Sequence, residues 1–479
     1  MTVQTSTSST LPAGWEATTV GKHFEFAYGK GLVKAVRKGN GSFPVYGSSG
    51  IVGFHNEFIV EGPKIIVGRK GAAGAVHLCP DNCWPIDTTY FVNISEYVDI
   101  KFAYYILKNL RLNQFETSTA IPGLNRDDAY RLGISLPPIE EQHRIVNKIE
   151  TLFSELDKGI EALKTTRAQL KVYRQAVLKH AFEGKLTARW RAENPDKLET
   201  IDQLLARIPQ PAQPRGGREA SIEVIEGVAA LAVNKPVKKA PEGWTWIPLL
   251  RIARQETGHT PSRKHPEYWG GDQYWIGIVD ARMSHGKVIH DTLQKPTLDG
   301  LENSSARTLP EGTVCLSRTA SVGYVTIMGK PMATSQDFAT WTCTEALNPK
   351  FLMYALMAEG EEIRRFGKGT THTTIYFPEI RALHICLPPI EEQAVIVEAI
   401  ERNMQKADLI ETEIESELTR SETLRQSILK KAFAGQLVSQ NPKDEPAITL
   451  LKPIHPERTT QAKPDTIKIA ARKRTKSHT

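Results

Sequence analysis

The sequence predicts an α+β protein: two mixed modules in tandem, separated by two long helices that form an antiparallel coiled coil, all arranged as a pseudo-two-fold internal duplication. Three observations carry this. Leu136-Pro137-Pro138-Ile139-Glu140-Glu141-Gln142 is written again as Leu387-Pro388-Pro389-Ile390-Glu391-Glu392-Gln393, and the same offset pairs Lys179-His180-Ala181-Phe182 with Lys430-Lys431-Ala432-Phe433. A Pro-x-Gly-Trp start precedes each block, as Pro12 to Trp15 and Pro241 to Trp244. A seven-residue apolar repeat follows each block, the signature of a coiled-coil seam.

The resulting boundaries are a first module over 1–136, a first helix over 137–187, a linker over 188–239, a second module over 240–387, a second helix over 388–438 and a basic disordered tail over 439–479. Within the modules, Lys64 to Val67 and Gly312 to Leu316 read as strands ending in Gly-containing turns, and Ile100 to Leu110 and Phe351 to Ala358 as helices. The Pro-x-Gly-Trp copies lie 229 residues apart and the shared blocks 251 apart, so the second module is the longer one. Two related scaffolds thus present two different surfaces.

Each helix is bounded by local chemistry. Pro137-Pro138 and Pro388-Pro389 fix the starts, because proline is tolerated in a first turn only, and Gly184 and Gly435 stand where a helix stops. Ile149, Leu156, Leu163, Leu170 and Val177 form one stripe, with Leu152, Ile160 and Tyr173 near the other seam position. The second helix keeps the register with Ile400, Ala407, Ile414 and Ile428, interrupted at Ser421 and flanked there by Leu418 and Leu424. So long a stripe must be covered. A generic oligomerisation coiled coil is one solution; an intramolecular antiparallel pair is preferred, because both seams lie in one chain. Between the halves, the Pro/Gly-rich stretch from Pro209 to Gly217 and the Lys/Pro stretch from Asn234 to Lys239 read as a linker.

Composition sets limits. At 479 residues the chain exceeds one ordinary core. No apolar run reaches the ~20 residues of a membrane span, and the Ser/Thr-rich start lacks the pattern of a signal peptide. Five cysteines without a disulfide pattern fit a reducing, cytoplasmic setting. The net charge of +7 is concentrated late: from Lys443 onward there are nine Lys/Arg against four Asp/Glu. Charge by itself is therefore a weak sign of nucleic-acid binding.

No catalytic constellation emerges. No Gly-Lys dipeptide is followed by Ser or Thr, so there is no phosphate-binding loop of the Walker type. Neither Pro-Pro pair fits an adenine-methyltransferase motif. Glu183-Gly184-Lys185 has the form of a nuclease motif, but its duplicate, Ala434-Gly435-Gln436, keeps only the glycine. His77, Cys79 and Cys83 lack a second ligand cluster, so buried thiols are expected there rather than a metal. What remains are polar loops. Arg69 and Arg318 stand at equivalent positions after a buried strand, and arginine forks suit guanine edges or phosphates while Asn and Gln suit adenine. Lys70, Asn125, Arg126, Thr319, Ser335 and Gln336 complete the candidate DNA-binding set; no catalytic and no metal residues are assigned.

The duplicated Leu-Pro-Pro-Ile-Glu-Glu-Gln blocks, the Gly-Lys-Leu-Thr and Gly-Gln-Leu-Val helix ends, the Pro-x-Gly-Trp starts and the Arg-x4-Gly-x-Val turns resemble those of a type I restriction–modification specificity subunit. The resemblance spans nearly the whole chain apart from its termini. It implies two target-recognition domains, each reading half of a bipartite site in double-stranded DNA. It also implies docking of two methyltransferase subunits and of restriction subunits, with S-adenosylmethionine and ATP/Mg carried by those partners, no cofactor on this chain and no membrane. The docking surface is expected on the two helices and their Leu-Pro-Pro-Ile-Glu-Glu-Gln starts. A coiled-coil adaptor that binds no DNA is the competing expectation.

Overall fold

A computed structural model describes residues 11–37, 40–115, 123–214, 219–319, 321–369 and 373–450. The basic stretch from Ala471 to Lys476 and linker residues Arg215 to Gly217 lie outside the described residues. The chain divides into two compact units: residues 1–162 with 416–479, and residues 163–415. Each unit therefore holds one module, half of the helix that follows it and half of the other helix.

In the first unit an antiparallel sheet runs in the order Phe24–Tyr28, Thr89–Ile94, Lys64–Gly68, Val76–Cys79. Alternating Phe24 and Phe26 face inward, as the period of two requires. Their core is closed by Phe102 and Leu107 of helix Ile100–Asn109, by Ile145 and Ile149 of the first long helix, and by Ile428, Leu429 and Ala432 of the second. A smaller sheet pairs Phe43–Gly47 with Gly50–His55 and Trp84–Pro85.

The second unit repeats the plan. Ala253–Thr257, Phe338–Cys343, Val314–Ser317 and Val325–Met328 stand in the same order and sense, and Val288–Ile289 adds a parallel edge strand. The second unit also keeps the parallel pair, Trp275–Ile276 with Ala333–Thr334 matching Val45–Tyr46 with Trp84–Pro85, and the extra length of this module includes the helices Ile278–Met283 and Leu298–Glu302.

The long helices span Ile139–Phe182 and Ile390–Phe433, 44 residues each. They pack antiparallel: Arg425 meets Asp157 in the first unit, and Arg174 meets Asp408 and Glu411 at 2.7 Å in the second. The seam follows the expected register, with Ile149, Leu170, Val177, Ile400, Ala407, Ile414 and Ile428 buried. Leu156 and Leu163 are half-buried. Ser421 is buried too and turns its hydroxyl onto the Glu417 carbonyl at 2.7 Å. Leu424 stays 48% exposed and is no part of the seam. Gly184 and Gly435 end the helices with φ of +70° and +69°.

Three expectations need correction. First, five of the seven residues in each Leu-Pro-Pro-Ile-Glu-Glu-Gln block are buried, so the block is interior cement rather than docking surface. Gln142 accepts from the Asp99 amide and donates to the Tyr97 and Pro137 carbonyls, and Gln393 does the same with Asn348, Ala346 and Pro388. Trp15 and Trp244 donate their indole N–H to Glu141 and Glu392 at 3.1 and 3.2 Å, which explains the paired Pro-x-Gly-Trp starts. Second, much of 188–239 is folded. Thr200 and Gln203 form a capping box on helix Ile201–Arg207, and Leu231–Val233 pairs with Leu383–Leu387. Third, the beginning of 439–479 is not a free tail: Arg144 holds Asp444 at 2.6 Å, and the Ala447 amide donates to Gly14.

Candidate nucleic-acid interface

Four segments meet in each unit by the same main-chain bonds. The first is the turn opened by the arginine: the Gly74 amide donates to Gly68 at 2.9 Å, and that of Gly323 to Ser317 at 3.0 Å. Gly74 has φ +77°, and a Cβ there would lie 2.2 Å from the Asn113 nitrogen, so no other residue fits. The second is the loop before a central strand: Arg69 N–H donates to the Thr88 carbonyl and Arg318 N–H to that of Asp337, both at 2.8 Å. The third is the corner at Gly29 and Gly258, where a Cβ would strike carbonyls of that loop at 2.2 Å (Ile86) and 1.9 Å (Thr334). The fourth precedes a short helix: Leu124 and Ile375 donate to the arginine carbonyls at 3.0 and 2.8 Å.

The arginine forks point into this frame. Arg69 donates Nε and Nη2 to the Asp87 carbonyl at 3.0 and 2.6 Å. Arg318 donates Nη2 to the Gln336 carbonyl at 3.0 Å and Nη1 to that of Ile375 at 3.5 Å, and its guanidinium lies 4.3 Å from the Phe377 ring centre. Burial pulls the Arg318 guanidinium below its ordinary pKa. Two of the five N–H donors of each fork are committed to main-chain carbonyls, so both arginines brace the loops they hold.

The remaining candidates fall at the same place with differing access. Lys70 is exposed beside the first turn. Asn125 caps helix Arg126–Tyr130 by accepting the Asp127 amide at 2.9 Å. Arg126 and Arg69 lie on the exposed Tyr28 ring, each 5.3 Å from its centre. In the second unit Gln336 is exposed, and its Oε1 accepts from Thr260 at 2.6 Å. The Thr319 hydroxyl shares a hydrogen bond with Thr374 at 2.7 Å. Ser335 is only 3% exposed and bonds Asp337, so it shapes the loop from inside.

Sequence reasoning missed several features. Phe26 to Asn56 carries Lys30, Lys34, Arg37 and Lys38 but no Asp or Glu, a local basic run hidden by the whole-chain total. Lys30 and Lys34 are exposed. In the second unit Arg263 lies 3.6 Å from the Trp269 ring centre, and Trp269 meets Trp275 edge-on at 5.3 Å. Among the described residues no group of three His, Cys, Asp or Glu could hold a metal ion. No described helix is long and apolar enough to cross a membrane.

Two duplicated α+β modules, each with a polar loop cluster and joined by paired helices, define a repeated recognition scaffold. The model of the type I restriction modification DNA specificity domain matches the chain twice, over residues 12–165 and 241–420, and the chain belongs to that family. It is similar to the type I restriction enzyme EcoDI specificity subunit of Escherichia coli, 22% identical over 458 residues, covering 90% of this chain and 90% of that protein. It is also similar to the EcoKI specificity subunit of Escherichia coli strain K12, 25% identical over 326 residues, 64% of this chain and 58% of that one. Among solved structures, the HsdS subunit from Thermoanaerobacter tengcongensis matches with a TM-score of 0.51 at 17% identity, covering 89% of this chain and 98% of that chain. A chain from work on complex assembly and conformational transition of the type I R-M system matches with a TM-score of 0.64 at 18% identity, over 89% of this chain and 100% of that chain. At such identities the likeness is one of fold.

Proposed function

We propose that this chain is the sequence-specific DNA-recognition subunit of a type I restriction–modification complex, non-catalytic in itself and acting in the cytoplasm. Each unit reads one half of a bipartite target in double-stranded DNA. The carrying observation is the duplicated four-segment frame: its main-chain bonds are the same in both units, while the exposed side chains on it differ. A reader of two unlike half-sites needs that combination. Lys70, Asn125, Arg126, Thr319 and Gln336 face the DNA, and Arg69, Arg318 and Ser335 hold the loops that do.

Two methyltransferase subunits and the restriction subunits bind the helical part, and S-adenosylmethionine and ATP/Mg belong to them. Because the Leu-Pro-Pro-Ile-Glu-Glu-Gln blocks are interior, the partners grip the solvent-facing sides of the helices. A gel shift of the full chain on duplex DNA across a salt series tests the reading. Phosphate neutralisation makes affinity fall steeply and linearly on logarithmic axes. Absence of any salt-dependent complex would leave the protein-bridging adaptor as the better account.

A further inference from the structure

The two arginine forks perform one task at equivalent places. Each holds the main-chain carbonyl of the residue 18 positions downstream, Asp87 in the first unit and Gln336 in the second. Both of those residues are exposed. We propose that Asp87 and Gln336 are the paired specificity-determining positions of this protein, one per unit, presented to base edges by the arginine behind them. This deepens the DNA-recognition reading above and rests on it.

The main chain at each position is fixed on two sides. The fork takes the residue's own carbonyl, and the arginine's amide donates to the next carbonyl, that of Thr88 or Asp337, at 2.8 Å. Gly29 and Gly258 bring a third loop against the same segment. A side chain on a main chain held this way projects with little freedom, which a base-reading group needs. Each arginine commits two of its five N–H donors to main-chain carbonyls, which ties the fork to the loop and leaves the exposed side chain of the residue it holds to meet a base.

The side chains suit the task. Thr260 donates to Gln336 Oε1 at 2.6 Å, which orients the amide and leaves both N–H groups and the second lone pair of Oε1 for a ligand. That is the pairing adenine offers through N7 and its amino group. Asp87 has only acceptors, and the base edge it suits is the amino group of cytosine. An exposed carboxylate repels a phosphate backbone unless it meets a donor. The plainer account, a solvated turn residue, explains Asp but not Gln, which is no turn former. What the two units share is the clamp.

The test selects target sequences from a pool of random duplexes with the full chain, in the wild-type, Asp87→Asn and Gln336→Ala forms, beside thermal melting of each. The wild-type chain should select a two-part target. Gln336→Ala should lose the preference at one position of one half and bind the wild-type target about tenfold more weakly. Asp87→Asn should change the preferred base at one position of the other half, toward adenine, because the amide both donates and accepts. Identical selections by all three chains would overturn the proposal and leave the DNA-recognition reading standing. Changes confined to the same half would overturn the one-per-unit assignment. A lowered melting transition with unchanged selection would assign both residues to loop stability instead. Selection of no sequence by the wild-type chain would remove the DNA-recognition reading itself, and this proposal with it.

Discussion

Glu141 and Glu392 occupy equivalent positions and are both buried, yet their surroundings differ in charge. Glu392 accepts from Trp244, Thr187 and Arg191, whose side chain is 15% exposed. Glu141 accepts from Trp15 and from the neutral amide of Gln440. Burial pushes its carboxyl above the ordinary value, outweighing those hydrogen bonds. Glu392→Gln should therefore cost about 3 kcal/mol, because Arg191 loses its counter-charge inside the protein. Glu141→Gln should change stability by less than ~1 kcal/mol, since the amide oxygen still accepts from Trp15. The pH sign follows from linkage. The folded state binds the Glu141 proton more tightly than the unfolded chain, so this group's contribution to stability falls as pH rises from the ordinary carboxylate value to the raised one. Urea titrations of the two variants across mildly acidic pH check both statements. A Glu141→Gln chain that keeps the wild-type pH slope would refute the second. The pairing of Trp with Glu was not legible in sequence, because each lies more than a hundred positions from its partner. Only the recurrence of both motifs hinted that they serve each other.

At the scale of elements, the helices were the most legible part, because a seven-residue repeat over 44 residues leaves no competing period. The register makes a graded prediction along one helix. Ile428→Ala empties a buried seam position and should cost ~2–4 kcal/mol, whereas Leu424→Ala, at a half-exposed site, should stay within ~0.5 kcal/mol. Equal costs would mean that the stripe was read in the wrong phase. The 188–239 segment shows the reverse case. Pro209 to Gly217 and the Lys/Pro stretch look like a plain connector, but strand Leu231–Val233 finds its partner at Leu383–Leu387, far along the chain. Glu359, which caps helix Pro349–Ala358, completes the attachment by accepting the amides of Val228, Ala229, Ala230 and Leu231 at 2.6, 3.1, 2.9 and 2.9 Å. Glu359→Ala leaves the buried N–H groups of Ala229, Ala230 and Leu231, and that of the more exposed Val228, without an acceptor. Hydrogen exchange should then speed up at Ala229 to Leu231 by two orders of magnitude or more, for an opening cost reduced by about 3 kcal/mol, while helix Pro349–Ala358 stays protected. Unchanged exchange there would show the strand to be held by its sheet partners instead.

For the whole molecule, the duplication predicts that the N-terminal half can complete itself. In the first unit, Ile428, Leu429, Ala432 and Phe433 of the second helix pack on the first module's core. At the shared offset the first helix carries Val177, Leu178, Ala181 and Phe182, so a second copy can fill that seat without a change of shape. Arg191 would then meet Glu141 of the other copy, giving that carboxyl a hydrogen-bonded cation where the intact chain gives it only the neutral donors Trp15 and Gln440. Residues 1–195 should form a homodimer with a two-fold axis, and by symmetry its target should be an inverted repeat of one half-site. Sedimentation reports the mass, and sequence selection on random duplexes reports the target. A strictly monomeric fragment, or a dimer selecting an asymmetric site, would refute the antiparallel arrangement.

The sequence by itself determined what depends on local pattern: the duplication, the two helices with their proline starts and glycine ends, the mixed character of the modules and the position of the arginine turns. Period, turn chemistry and identical motifs are all properties of neighbouring residues. The tertiary structure decided the direction in which side chains act. Arg69 and Arg318 were legible as equivalent turn positions, but whether their forks met solvent or main chain depended on carbonyls 18 positions away. The Leu-Pro-Pro-Ile-Glu-Glu-Gln block resembles an exposed charged motif until Glu and Gln are found inside, because burial is set by the loops that close over them. Asp87 and Gln336 share no sequence feature; only the clamp common to both units makes them equivalent, and a clamp exists only once the loops have met.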